Sequence, residues 1–159
     1  MASAPQSAAE VESAVRELLE LLVERLSLDA EIDVRRDGDT ITGALVGDDL
    51  GLFIGRHGQT IEAVQHLAQR IAFRGHPSDV RVVIDAAGYR DRRASALRRE
   101  ADEAADTAVR GGRPVALDAM TASERKLVHE YLRERGDVET YSEGDEPDRH
   151  LVVAPLGSS

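Results

Sequence analysis

Ile54-Gly55-Arg56-His57-Gly58-Gln59-Thr60-Ile61 is the stretch on which the fold turns: a basic dipeptide bracketed by glycines, with an apolar run before it and a helical repeat after it. A glycine at each end lets the backbone turn tightly and approach a neighbouring group without a Cβ in the way. From Gln59 to Phe73 the residues Ile61, Val64, Leu67, Ala68 and Ile71 recur at helical spacing, so a helix leaves the loop directly. Its first turn presents unpaired N–H groups at the positive end of the helix, which favours anions. Arg56 adds a fixed charge and His57 a donor.

On the N-terminal side, Leu50 to Ile54 reads as a short apolar turn, with Asp48-Asp49 as its helix start. Ile32 and Val34 alternate with charged residues, Asp37-Gly38 supplies a turn, and Thr40, Ile41, Thr42 and Leu45 resume with β-branched content, which is a β-hairpin. Earlier still, Val11, Val15, Leu18, Leu19, Leu22 and Leu26 form one apolar stripe on a helix. Residues 1–8 are small and polar, a flexible terminus. On the other side, Gly75-His76-Pro77 breaks the helix, and Val80, Val82 and Ile84 alternate as a third strand. The order is helix, strand, strand, helix, loop, helix, strand.

A second half follows Ala86-Ala87-Gly88. Tyr89 to Val109 reads as a helix with Arg90, Arg92, Arg93, Arg98 and Arg99 in its first half and Glu100, Asp102, Glu103 and Asp106 in its second. That order opposes the helix dipole, so the arginines need another reason, either phosphate contact or an exposed connector. Leu97, Ala101, Ala104, Ala105 and Ala108 leave a narrow face of small residues. Gly111-Gly112 ends the helix, Pro114 to Leu117 suits an edge strand, and Thr121-Ala122-Ser123-Glu124 is a capping box. In the helix it opens, Leu127, Val128 and Tyr131 make the buried face, and Arg125 and His129 stand together on one flank. Val138 to Tyr141 and Leu151 to Val153 are strands around a Ser142-to-Pro147 turn.

The net charge of −10 opposes nucleic acid at first sight, because affinity for a polyanion comes from Lys and Arg. The distribution matters more than the sum. Glu10 to Asp39 holds ten acids against four Arg, whereas Ile54 to Arg99 holds nine Arg against four acids, with His57, His66 and His76 besides. The chain has no Cys, which excludes disulfides and thiolate metal sites and suits a cytoplasmic location. No apolar run approaches the length of about eighteen residues that a membrane helix needs.

Gly-x-x-Gly between two helices, preceded by a hairpin and followed by a strand, resembles a K-homology (KH) domain, and the leading helix makes it similar to the type II arrangement. Glu124-Arg125-Lys126-Leu127-Val128-His129, with Val138 to Gly144 and Glu146-Pro147-Asp148-Arg149, resembles the domain named for Arg-x-x-x-His, R-3-H. Together they resemble the bacterial Jag family, in a short form without the extra N-terminal domain. The four-residue loop motif is weak alone, since roughly one occurrence is expected by chance, and the run from Glu124 to Arg149 is far more specific. The fold implied is α+β: a type II KH domain (αββααβ, residues 9–87) joined by a helix to an R-3-H α/β domain (88–155), with 156–159 a flexible tail.

The resemblance implies a non-catalytic protein of the bacterial cytoplasm that binds single-stranded RNA, with single-stranded DNA as the alternative, in post-transcriptional regulation or RNA chaperoning. In the KH family the loop clamps the backbone of about four nucleotides while an apolar groove holds bases. On that basis Gly55, Arg56, His57 and Gly58 form the clamp and Ile54 and Ile61 border the groove. Arg125 can fork onto a phosphate, His129 one turn later can donate to the same group or stack on a base, and Lys126 and Arg149 add charge. The alternative for the Arg-His pair is a structural one, with His129 on a helix carbonyl or on Glu143. Six carboxylates between Asp137 and Asp148 are awkward for a phosphate surface.

Catalytic signals are missing from the sequence: the five His do not form H-E-x-x-H, and no G-x-S-x-G or P-loop spacing occurs. Asp48-Asp49 as metal ligands of a nuclease is the weaker alternative to a helix cap. No metal or cofactor is expected. A scaffold acting through protein contacts is the other class, with the first helix and the alanine-faced helix pairing into a homodimer or docking a small single-KH partner.

Overall fold

The computed structural model describes residues 7–73 and 79–157, which divide into two compact units between Tyr89 and Arg90. The expected flexible end at 1–6, the Gly75-His76-Pro77 break and the last two residues lie outside the described residues.

In the first unit α1 spans Ala8–Arg25. Ser7 is its N-cap: the Ser7 hydroxyl accepts from the Glu10 N–H at 3.3 Å, and the Glu10 carboxylate accepts from the Ser7 N–H at 2.6 Å. This reciprocal capping box starts α1 at Ala8, inside the stretch expected as the N-terminal tail. Strands β1 (Glu31–Asp37) and β2 (Thr40–Val46) form the hairpin, with Asp37 opposite Thr40. Then come α2 (Gly51–Ile54), a 3₁₀ turn at Arg56–Gly58, α3 (Gln59–Phe73) and β3 (Arg81–Ala86). The sheet order is β1-β2-β3, and β3 runs parallel to β2 because the two helices carry the chain across between them.

Val11, Val15, Leu18 and Leu19 of α1 and Ile61, Val64, Ala68 and Ala72 of α3 share one core with Ile41, Leu45, Val82 and Ile84 of the sheet. Leu67 and Ile71, which share the helical spacing of α3, are 45% and 40% exposed. The helical period admits either pair, and the small Ala68 and Ala72 take the packed positions. Strand β3 lies at an edge of this sheet, and α3 covers its backbone: the Gln65 side chain accepts from the Ile84 N–H at 3.0 Å, and Gln69 donates to the Val82 carbonyl at 3.3 Å.

The second unit is built from α4 (Tyr89–Gly111), β4 (Val115–Ala119), α5 (Ala122–Arg133), β5 (Val138–Glu143) and β6 (His150–Pro155). Its sheet is antiparallel in the order β4-β6-β5, so β4 is an edge strand. Leu97, Ala101, Ala104 and Ala105 are buried with Met120, Val128, Leu132, Val138, Leu151 and Val153. Helix α4 is thus a wall of this core rather than an exposed connector. On α5 the fully covered apolar residues are Val128 and Leu132, while Leu127 and Tyr131 are half-buried.

Several charges of α4 that oppose its dipole have partners inside the unit. Arg135 binds Asp102 at 3.4 Å, Asp106 at 2.8 Å and Asp137 at 3.0 Å, and the Tyr131 hydroxyl donates to Asp102 at 2.7 Å. The hydrogen bonds from Arg135 hold the Asp137 carboxyl below its ordinary value, and the bond to Asp102 raises the Tyr131 hydroxyl. Arg93 binds Glu124 at 2.7 Å. Three of these α4 residues therefore act as staples to α5 and its C-terminal extension.

Candidate nucleic-acid interface

The glycine loop is set by what lies on either side of it. Leu50 and Phe53 are buried and fix α2 to the core. Leu50, not Asp48 or Asp49, is the N-cap, and no side chain caps this single turn. Burial of Leu50 locates the helix start without a carboxylate. Gly55 has φ +75°, and a Cβ there would collide with the Thr60 hydroxyl. Gly58 has φ +73° and is buried, and a Cβ there would lie 2.7 Å from the Tyr89 hydroxyl. Between them His57 is also left-handed, at φ 54° and ψ 26°. Both glycines are therefore required by the protein's own packing.

This geometry pushes the dipeptide outward. Arg56 is exposed and His57 half-buried. Among the described residues neither side chain has a hydrogen bond or ion pair, so the charge of Arg56 is uncommitted. Ile54 is half-buried against the core. Ile61 is fully buried, which corrects its assignment to the rim of a groove: as the third residue of α3 it belongs to the core. Leu52, one turn before the loop, is 63% exposed and is the apolar surface there that the periodicity of the short α2 could not reveal.

In the second unit Thr121 starts α5 through the expected box: its hydroxyl accepts from the Glu124 N–H at 3.3 Å, and Glu124 accepts from the Thr121 N–H at 2.9 Å. Arg125 and His129 follow on one flank, but their side chains do different things. Arg125 Nη1 donates to the carbonyls of Met120 at 2.5 Å and Arg149 at 3.5 Å, and Nη2 donates to Glu146 at 2.5 Å. Its side chain is only 11% exposed. Arg149 turns inward as well, with Nη1 on the Gly144 carbonyl at 2.8 Å. These two residues hold the turn between β5 and β6.

His129 is exposed, and its Nδ1 lies 2.5 Å from the Thr140 hydroxyl, so neither a helix carbonyl nor Glu143 is its partner at that nitrogen. Glu143 instead lies 3.8 Å from His150 Nε2. His129 and Arg133, four residues apart, line a cavity of about 290 Å³ with Gly136, Val138, Glu139, Thr140 and Leu156. Lys126 projects from the opposite flank of α5, into a more open groove of about 520 Å³ with Arg98 and Tyr131, 3.9 Å from Glu130. The residues expected to act together are thus on three surfaces: Arg125 and Arg149 in the turn, His129 at one cavity, and Lys126 at the other. Of the acidic segment, Asp137, Glu143 and Glu146 are each set against a base of the same unit. No group of three or more metal-ligating side chains occurs among the described residues. None of the described helices is long and apolar enough to cross a membrane.

Tyr89, Thr140 and Arg133 are the site residues that sequence reasoning missed. Arg133 carries a signal, its spacing of four from His129. Tyr89 carries none, since its contact with Gly58 spans the whole of α3 and β3.

An αββααβ unit with a glycine loop before its third helix, followed by a unit with Arg and His one turn apart, defines a protein that joins a KH domain to an R-3-H domain. The KH domain family of KhpA/KhpB matches residues 12–84, and the R-3-H domain family matches residues 95–155. The chain belongs to the Jag family of such proteins. It is 41% identical over 146 residues to the RNA-binding protein KhpB of Lactiplantibacillus plantarum, covering 90% of this chain and 45% of that one. It is 31% identical to KhpB of Clostridium symbiosum, covering 81% of this chain and 58% of the relative, and 30% identical to KhpB of Bacillus subtilis, covering 86% and 66%. The chain thus spans about half to two thirds of the length of these relatives.

Proposed function

We propose that this protein binds single-stranded RNA without catalysing a reaction on it, in the cytoplasm, and acts in post-transcriptional regulation or as an RNA chaperone. The observation that carries the reading is the loop Gly55–Gly58, which presents an uncommitted Arg56 beside a left-handed His57 at the start of α3 in a KH-ordered unit. The names of the relatives, RNA-binding proteins, support it. In this reading Gly55, Arg56, His57 and Gly58 take the phosphate backbone, Ile54 flanks the bases with Leu52, and Ile61 belongs to the core. His129 and Lys126 add contacts from the second unit, while Arg125 and Arg149 keep its turn in place.

The test is the double substitution Arg56→Asp with His57→Asp, chosen because Asp tolerates the left-handed conformation at position 57. Affinity for a short single-stranded RNA is expected to fall by about tenfold or more, with the circular dichroism spectrum unchanged. Unaltered affinity removes the loop from the interface. Competition by DNA of the same sequence ranks the two nucleic acids, and metal-dependent loss of a labelled RNA would replace binding with nuclease action. A second reading, pairing with another copy or with a small single-KH protein, is favoured by Leu67 and Ile71, both exposed on one side of α3. Leu67→Lys would abolish such an assembly in light scattering.

A further inference from the structure

We propose that Arg133, rather than the Arg125 of the Arg-x-x-x-His signature, is the phosphate-binding arginine of the second unit, and that it works with His129 and Leu156 as a one-nucleotide site. This rests on the RNA-binding reading above. Positions 125, 129 and 133 fall on one flank of α5, four residues apart, so the three side chains form a line. The first is spent: Arg125 is 11% exposed, with Nη1 on two carbonyls and Nη2 on Glu146. The third is free: Arg133 is exposed, and among the described residues its side chain has no hydrogen bond or ion pair.

Arg133 and His129 share the cavity of about 290 Å³. Its other walls suit a nucleoside. Leu156 is 53% exposed, and its position is fixed by the 2.9 Å bond from its N–H to the Asp137 carbonyl. With Val138 it offers an apolar surface for a base, next to the Thr140 hydroxyl. A guanidinium and an imidazole beside an aliphatic surface match the phosphate and the base of a single nucleotide, with the Glu139 carboxylate also in the lining. Single-stranded RNA is the occupant to which this chemistry points, because a base stacked in a duplex cannot enter a cavity of this size.

The charged and the apolar parts of the site are separable by salt. For single strands the slope of log affinity against log salt changes by about 0.7 for each phosphate contact. Binding of a labelled single-stranded RNA of mixed sequence to the full chain is measured across a salt series for wild type, Arg133→Gln and Leu156→Ser. Arg133→Gln is expected to weaken binding about three- to tenfold at low salt and to flatten the slope by about 0.7. Leu156→Ser is expected to weaken binding with the slope unchanged. Wild-type affinity and slope in Arg133→Gln, with the wild type itself binding in a salt-dependent way, overturn this site and leave the RNA-binding reading standing. Absence of binding by the wild type overturns both. Because both residues are exposed, thermal melting within about 2 °C of wild type is expected for each variant, and a loss of affinity accompanied by unfolding of Arg133→Gln assigns that residue a structural role and also overturns the site.

Discussion

Replacing Gly58 by alanine separates two demands that converge on that position. One is local: φ of +73° costs an L-residue about 1–2 kcal/mol. The other is tertiary: the new Cβ would lie 2.7 Å from the Tyr89 hydroxyl and 3.0 Å from its Cε1, so the ring must move. Displacing a packed ring adds about 1–3 kcal/mol. Gly58→Ala alone should therefore lose about 2–5 kcal/mol in urea unfolding monitored by circular dichroism. In a Tyr89→Ala background the ring is gone and only the backbone cost of about 1–2 kcal/mol remains. The double-mutant cycle thus predicts a coupling of about 1–3 kcal/mol. Strict additivity would refute the claim that Tyr89 shapes the loop. RNA affinity measured on the folded fraction of Gly58→Ala should fall as well, because the ring cannot move without disturbing the turn that carries His57.

Two further outcomes follow from the second unit. Glu124→Ala removes at once the N-cap partner of Thr121 and the buried partner of Arg93, and should cost about 3 kcal/mol by thermal or urea denaturation, whereas Glu124→Gln, which keeps an acceptor for the Thr121 N–H, should cost less. The Asp137 carboxyl is held below its ordinary 3.8 by the hydrogen bonds from Arg135, so its stabilising contribution is present above that value and is lost as pH falls through the lower folded value. Asp137→Asn should therefore be less stable than wild type at neutral pH, with the difference narrowing below about pH 4 in a melting series.

How much of this was legible depends on the range of the interaction. The boxes at Thr121 and the hairpin turn at Asp37 are local, so residues within four positions of one another specify them. The αββααβ order follows from periods of two and 3.6 that each segment carries by itself. The misreadings arise where two faces compete or where a partner is distant. Ile61 and Leu67 share one helical period, and only docking onto the sheet decides that the first is covered and the second is not. The dipole-opposing arginines and aspartates of α4 invite an external ligand until Arg93 meets Glu124, and Asp102 and Asp106 meet Arg135, about thirty residues away along the chain. The capping role offered to Asp49 fails for the same reason: a buried Leu50 decides where a single turn begins.

The Arg-x-x-x-His signature shows how a motif can be specific for a domain while its two ends do unlike work. Spacing of four places both side chains on one flank, but β5 and the turn that follows it meet that flank unequally. At the N-terminal end the turn closes over Arg125, whose planar fork bridges the carbonyls of Met120 and Arg149 and the carboxylate of Glu146. At His129 the Thr140 hydroxyl stands opposite, and the ring remains exposed. A lysine at position 125 would keep the charge but replace the fork by one ammonium, which cannot span the three acceptors. Arg125→Lys should therefore lower stability by about 2 kcal/mol in urea unfolding while leaving the salt slope of RNA binding at its wild-type value. A phosphate-gripping Arg125 makes the opposite forecast: Lys would substitute well as a point charge, and the charge-removing Arg125→Gln would flatten the slope by about 0.7. Stability near wild type in Arg125→Lys, together with a flattened slope in Arg125→Gln, would return the arginine of the signature to the nucleic-acid surface.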